Sequence, residues 1–189
     1  MFIPFENDFI STQIKVMSNF LTKEECEIII DYANKKNKQI AGVGDNAIDK
    51  KTRKNKVVWF GDKDASLAWV YHKIASFVFN ENTKHYKFDL YGLTENLQFT
   101  IYDTIDDHYK WHYDSGAAQV RKLSLSIQLS DPKDYEGCEL EFIEDGDKNA
   151  LKPQGTVILF PSYLAHRVTP LTKGIRYSLV TWVGGPNFK

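Results

Sequence analysis

The sequence predicts a mainly β protein of the jelly-roll type, with two N-terminal helices packed on the outer face of its sheets. Three observations carry this expectation. Apolar residues recur at helical spacing in two stretches before residue 92, and from residue 96 onward the period shifts to two. Turn residues then cut the second half into eight short strand-like runs with no helix pattern between them. Strands following helices in this way suit a double sheet and exclude a doubly wound α/β fold, which needs a helix between successive strands.

The first helix is expected over about 23–36. Thr22-Lys23-Glu24-Glu25 has the form of a capping box, and Cys26, Ile29, Ile30 and Ala33 follow at helical spacing. The second opens at Asp64 and sets Leu67, Val70, Tyr71, Ile74, Phe77 and Val78 on one stripe. Each has one apolar face and needs a sheet to cover. Between them Lys50 to Lys56 carries five positive charges in seven residues, read as a solvated loop leading into the strand-like Val57–Phe60. A substrate-contacting rim is the alternative for that run. The strand-like runs are 97–102, 108–114, 123–130, 138–143, 149–152, 155–160, 164–169 and 175–183. Asp131-Pro132, Glu136-Gly137, Asp145-Gly146, Pro153, Pro161 and Lys173-Gly174 supply the turns. The whole is read as a single domain, 1–189, with a support region over about 1–92 and the β core over about 93–185.

Composition narrows the function classes. The 189 residues are 42% hydrophobic and 26% charged, with a formal charge of -1. That balance gives no overall electrostatic attraction to nucleic acid or to an anionic membrane. No apolar run is long enough to span a bilayer, and MFIPFENDF lacks the basic start and apolar stretch of a signal peptide, so a cytoplasmic location is expected. Cys26 and Cys138 match neither a disulfide framework nor a zinc motif.

Within the β half, one strand face is aliphatic. The other carries Gln98, Thr100, Tyr102, Ser124, Ser126 and Gln128, which suits either the lining of a cavity for a polar small molecule or an exposed polar sheet face. His112 and Asp114, two apart on a strand, leave one face about 6.6 Å apart along the chain, within reach of one metal ion. His166 offers a third ligand from another strand. Two imidazoles and one carboxylate leave coordination positions open, as non-haem Fe(II) oxygenases require. Arg176 and Ser178 share a later strand face with Trp182, and an arginine fork beside a hydroxyl suits a carboxylate at the end of a pocket. His72, His85 and His108 have no such context and are read as structural or solvent-facing.

Residues 96 to 183 resemble the Fe(II)- and 2-oxoglutarate-dependent dioxygenases, in particular their prolyl 4-hydroxylase-like branch. The resemblance rests on Gln98-Phe99-Thr100-Ile101-Tyr102, His112-Tyr113-Asp114, Arg121-Lys122-Leu123-Ser124 and Tyr135-Glu136-Gly137-Cys138-Glu139-Leu140. It continues through Pro153-Gln154-Gly155-Thr156, Phe160-Pro161-Ser162, His166-Arg167-Val168 and Gly174-Ile175-Arg176, in matching order and spacing. Two departures stand out: Cys138, where a Gly-Gly pair is more usual, and Arg176, where collagen-type members tend to have lysine.

The resemblance implies a double-stranded β-helix fold, Fe(II) as metal, 2-oxoglutarate and O₂ as cosubstrates, and ascorbate as a reductant. It implies that His112, Asp114 and His166 bind iron and that Arg176 pairs with the distal carboxylate of 2-oxoglutarate, helped by Tyr102. Gln128 stands where relatives often have tyrosine, Ser178 lies beside the clamp, and Val168, Leu140 and Trp182 line the cosubstrate pocket. The implied activity is hydroxylation of a C–H bond, with a peptidyl proline as the favoured target and a peptide or protein as partner. Arg53, Trp59 and Tyr109, on the segments 50–60 and 103–110, are the expected substrate contacts. The alternatives are a non-catalytic metal-binding jelly-roll ligand sensor, and the same chemistry on a nucleobase or a free amino acid. Nucleic acid is not favoured, no membrane partner is expected, and the sequence does not determine the oligomeric state.

Overall fold

The computed structural model of the chain describes residues 14–43, 47–61, 63–116, 120–143 and 151–187. The first element, β1 (Lys15–Met17), is followed by α1 (Lys23–Asn34). Thr22 caps α1 as the sequence requires: its hydroxyl accepts from the Glu25 amide, and the Glu25 carboxylate accepts from the Thr22 amide. Next come β2 (Gln39–Ile40), β3 (Arg53–Lys54), β4 (Lys56–Phe60) and α2 (Ala68–Glu81). A 3₁₀ turn over Ala65–Leu67, capped by Asp64, leads into α2, and a π-helical turn over Asn82–Tyr86 ends it. The remaining strands are β5 (Gly92–Leu93), β6 (Leu97–Tyr102), β7 (His108–His112), β8 (Arg121–Gln128), β9 (Tyr135–Gly137), β10 (Leu140–Phe142), β11 (Val157–Pro161), β12 (His166–Val168), β13 (Leu171–Gly174) and β14 (Arg176–Gly184).

These strands form two facing antiparallel sheets. The larger runs β1-β11-β8-β14-β6-β4-β2, with β5 also paired to β14, and the smaller runs β10-β12-β7-β3. A short ladder joins β13 to β9. The jelly-roll expectation is borne out, helices included. Cys26, Ile29 and Ala33 of α1, with Val70, Ile74, Phe77 and Val78 of α2, cover the aliphatic face of the large sheet in one buried cluster. Leu123, Leu125 and Ile127 of β8, Phe99 and Ile101 of β6, and Leu179 and Val183 of β14 are its sheet side. A second cluster, including Phe142, Ile158, Phe160, Leu164 and Leu171, lies on the side of the small sheet.

Several boundaries differ from the sequence reading. The 108–114 run ends at His112, so Asp114 stands on the segment after the strand. Glu136-Gly137, read as a turn, belongs to β9 and pairs with β13. Residues 151–152 are not a strand; 149–150 and the Asp145-Gly146 turn lie outside the described residues. Only the start of the basic run is a solvated turn: Lys50 and Lys51 are exposed, whereas Arg53, Lys54 and Lys56 stand on strands. Arg53 is buried at 9% exposure, and β3 pairs with β7, Arg53 opposite Tyr109 and Lys54 opposite His108. Within the segments 50–60 and 103–110, β3 and the start of β7 therefore contribute paired strand to the cavity's rim. Asn55 alone separates β3, in the small sheet, from β4, in the large one.

Two left-handed positions shape this region. Gly155 has φ 76°, and a Cβ there would lie 2.0 Å from the Leu21 carbonyl oxygen. Cys138 adopts φ 49°, a conformation glycine takes more readily, which accounts physically for glycine being more usual at this position. Among the described residues no helix is long and apolar enough to cross a membrane.

Candidate metal and cosubstrate site

The polar strand face points inward. Gln98, Thr100, Tyr102, Ser124, Ser126 and Gln128 are all buried, which removes the exposed-face alternative. Gln98, Thr100, Tyr102 and Ser126, with residues of the small sheet, bound a cavity of about 500 Å³. Gln98, Thr100 and Tyr102 of β6, Arg176, Ser178, Val180 and Trp182 of β14, Tyr109 and His112 of β7, and His166 and Val168 of β12 line it, together with Leu140 and Asp114.

Cross-strand register brings the two imidazoles together, since His166 is paired directly with His112. Each His Nδ1–H donates to the carbonyl two residues earlier, His112 to Lys110 at 2.7 Å and His166 to Leu164 at 2.9 Å. A carbonyl has no proton to give, so both Nδ1 atoms carry hydrogen and both Nε2 lone pairs face the cavity. Asp114 completes the group: Oδ1 lies 3.7 Å from His112 Nε2 and Oδ2 lies 3.5 Å from His166 Nε2. The three donor atoms lie within 4.8 Å of one another.

Asp114 is fixed from behind. Its amide donates to the Ser162 carbonyl at 3.0 Å, and Ser124 Oγ donates to its Oδ2 at 2.7 Å while contacting Ser162 Oγ at 2.9 Å. Burial pushes the Asp114 carboxyl up, but His166, His112 and the Ser124 hydrogen bond outweigh it and hold it below its ordinary value. Burial, and then the neighbouring His166, pulls His112 down to about 4. A neutral imidazole and an ionised carboxylate at neutral pH are the forms that ligate metal. Two histidines and one carboxylate therefore fit a divalent metal with open positions, iron included.

The far end of the cavity fits a carboxylate. Arg176 is 2% exposed, and its Nε and Nη2 donate to Gln128 Oε1 at 3.2 and 2.8 Å. Its Nη1 is buried with no hydrogen-bond partner among the described residues. A buried, unpaired guanidinium N–H is costly unless a ligand takes it up. Tyr102, opposite Arg176 across the β6–β14 ladder, has its ring 5.3 Å from the guanidinium. Burial pushes its phenol up to about 12, so it keeps its proton and can donate. Ser178 and Gln128 face each other across β14 and β8. Gln128 thus contacts Arg176, orienting the fork from the protein side.

At the cavity mouth Arg53 lies 4.7 Å from the Tyr109 ring, and that ring stacks on His112 at 3.4 Å between centroids. Trp59 is 41% exposed and 6.3 Å from Trp182. The structure brings every sequence-predicted site residue to this cavity or onto its lining, Gln128 through Arg176. It adds three that sequence reasoning gave no role: Ser124, Ser162 and Arg121. Arg121 lies 3.9 Å over the Trp182 ring and is gripped by both carboxylate oxygens of Glu95 at 2.5 Å. The alternation of β8 places Ser124 on the polar face, and all three residues fall within the motifs quoted for the resemblance, though with no individual part assigned.

Comparison with known proteins agrees with this geometry. Residues 97–184 match the family model of the 2OG-Fe(II) oxygenase superfamily. Among curated proteins, a PKHD-type hydroxylase of Synechococcus sp. (strain CC9902) is 40% identical over 82 residues, 42% of this chain and 37% of that protein. A PKHD-type hydroxylase of Psychrobacter sp. (strain PRwf-1) is 38% identical over 80 residues, 42% of this chain and 31% of that protein. The match thus spans well under half the length of these relatives. A solved prolyl hydroxylase of Trichoplax adhaerens, in complex with a peptide fragment of hypoxia inducible factor, superposes with a TM-score of 0.77 at 16% identity. That likeness covers 93% of this chain and 84% of the other and is one of fold.

Proposed function

We propose that this chain, whose residues 97–184 carry the core of a prolyl 4-hydroxylase-like 2OG-Fe(II) oxygenase, hydroxylates a C–H bond of a peptidyl prolyl residue. One observation carries the reading: a His112/Asp114/His166 donor cluster and the orphaned Nη1 of Arg176 open into the same cavity. A protein that only stores or senses metal has no use for a buried carboxylate clamp. The hydroxylase names of the curated relatives and the peptide complex of the Trichoplax neighbour support a peptide or protein partner.

In this reading His112, Asp114 and His166 hold Fe(II), and Arg176 takes the distal carboxylate of 2-oxoglutarate. When bound, iron and 2-oxoglutarate supply, with O₂, the oxidising equivalent that replaces C–H by C–OH and releases succinate and CO₂. The chain's own residues do the positioning. Gln128 occupies two guanidinium N–H groups so that Nη1 is aimed at the incoming carboxylate. Tyr102 donates a second hydrogen bond there, and Ser178 adds a hydroxyl to the same wall. Ser124 and the Ser162 carbonyl hold Asp114 so that its carboxylate stays directed at the metal. Val168, Leu140 and Trp182 line the space between the two ends and help exclude water. The elements before residue 92 serve as support, with Trp59 and Arg53 reaching the mouth.

The test is anaerobic titration with Fe(II) and 2-oxoglutarate, followed by O₂ and a panel of proline peptides, oligonucleotides and free amino acids, read by mass spectrometry. A gain of one oxygen on a prolyl peptide with stoichiometric succinate is the expected result. Oxidation of nucleic acid or free amino acid alone overturns the substrate assignment, and failure to bind 2-oxoglutarate overturns the oxygenase reading.

A further inference from the structure

Arg53 is a buried cation that no carboxylate of the described residues faces. Its Nε donates to Asn55 Oδ1 at 2.9 Å and its Nη1 to the Gly42 carbonyl at 3.1 Å. Among the described residues no acidic side chain lies within ion-pair distance of it. An uncompensated guanidinium at 9% exposure is costly to keep, and the cavity it lines is where compensation can arrive. Its place is set from both sides: β3 is paired to β7, and the guanidinium lies over the ring of Tyr109, which lies over His112.

The charge balance of the cavity says what would complete it. Arg121 is neutralised by Glu95. With a divalent metal on the donor cluster and 2-oxoglutarate dianion bound, the charges of metal, Asp114, 2-oxoglutarate and Arg176 cancel. Arg53 is left as one net positive charge at the mouth, with only the Tyr109 ring between it and the ligand candidate His112, where a primary substrate must enter.

We propose that Arg53 is a specificity residue that pairs with a carboxylate carried by the primary substrate. This rests on the oxygenase reading and sharpens its substrate class. The carboxylate comes either from an acidic side chain beside the target residue in a peptide or from the α-carboxylate of a free amino or imino acid. Both present one planar anion to a planar fork.

The experiment pairs substrates that differ only in that charge. Proline peptides with Asp or Glu beside the proline are compared with their Asn or Gln counterparts, and L-proline with prolinamide. Two readouts are taken: kcat/KM of the Fe(II)-loaded enzyme, and binding to the metal-free protein followed by tryptophan fluorescence, since Trp59 and Trp182 line the cavity. The expected result is a preference of at least about tenfold for the carboxylate members, in binding and turnover alike, consistent with about 1.4 kcal/mol for a factor of ten. The peptide and free-acid arms identify the source. Arg53→Gln should erase the preference without changing 2-oxoglutarate affinity, and Arg53→Lys should keep part of it.

The wild-type comparison needs no variant, so misfolding of Arg53→Gln leaves the test intact. Absence of any carboxylate preference in the wild type overturns the proposal. So does loss of 2-oxoglutarate affinity in Arg53→Gln as large as in Arg176→Ala, which would make Arg53 a second cosubstrate clamp. Failure of the wild type to bind 2-oxoglutarate at all is a different result and marks failure of the oxygenase reading.

Discussion

Ser124 Oγ donates to Asp114 Oδ2 at 2.7 Å, joining an inner strand of the large sheet, β8, to a carboxylate that belongs to no strand. The metal-ligand candidates on β7 and β12 are held by their own backbone carbonyls; Asp114 depends on this hydroxyl and on the Ser162 carbonyl.

Removing that hydroxyl loosens Asp114 without touching a donor atom. Ser124→Ala is expected to weaken Co(II) or Fe(II) binding by about 10- to 100-fold, the usual effect of losing a partner of a ligating carboxylate. Global stability should fall by about 1 kcal/mol. Isothermal titration and denaturant unfolding separate the two effects.

Arg176 and Gln128 form a pair with unequal duties. Arg176→Ala should cost about 2–5 kcal/mol of 2-oxoglutarate affinity, with partial rescue by lysine, which restores charge without the fork. Gln128→Leu keeps the charge but frees the guanidinium to rotate, so a smaller loss of about tenfold is expected. Metal affinity should be unchanged in both, as calorimetry with Mn(II) and 2-oxoglutarate added in turn will show.

The imidazole of His112 gives a pH signature in the metal-free protein. Its folded value of about 4 lies below the ordinary 6.5, through burial first and His166 second. The unfolded chain therefore binds this proton before the folded one does. Its contribution to stability is full above about pH 6.5 and is lost as pH falls toward 4. The imidazole proton resonances of His112 should titrate with a midpoint near 4 by NMR, and thermal stability should decline across that window. His112→Asn should flatten part of the decline.

Gly155 tests the frame behind the site. A Cβ there meets the Leu21 carbonyl oxygen at 2.0 Å in a left-handed conformation, while the Gly155 amide donates to the Gln128 carbonyl at 2.8 Å. Gly155→Ala should lose about 2 kcal/mol or more in urea unfolding, since strain and displaced backbone add.

The sequence made the regular parts of this molecule legible where local chemistry decides them. Leu123, Leu125 and Ile127 alternate with Ser124, Ser126 and Gln128, and burial on both faces of β8 follows. Thr22 and Glu25 announce the start of α1 within four residues. The His112, Asp114, His166 and Arg176 set was legible through residue type and order. What escaped is decided by partners distant along the chain. Nothing near Asp114 says that β7 stops at His112. A local count of charge makes Arg53 look solvated, because its burial depends on pairing with Tyr109. The β9 and β13 strands exist through each other, and a three-residue run such as Tyr135–Gly137 has no periodicity to read.

Asn55 is one residue, 4% exposed, between a strand of the small sheet and a strand of the large one. The rim bearing Arg53 is thereby continuous with the wall bearing Trp59, without the slack a hinged flap needs. Widening the mouth requires β3 to peel from β7, a pairing of two residues, while β4 stays anchored by five pairs to β6. Passage of a bulky guest should consequently register as a local breathing event: amide hydrogens of 53–54 and 108–110 exchanging ahead of those of β8 and β14, and slowing once a guest bridges the two strands.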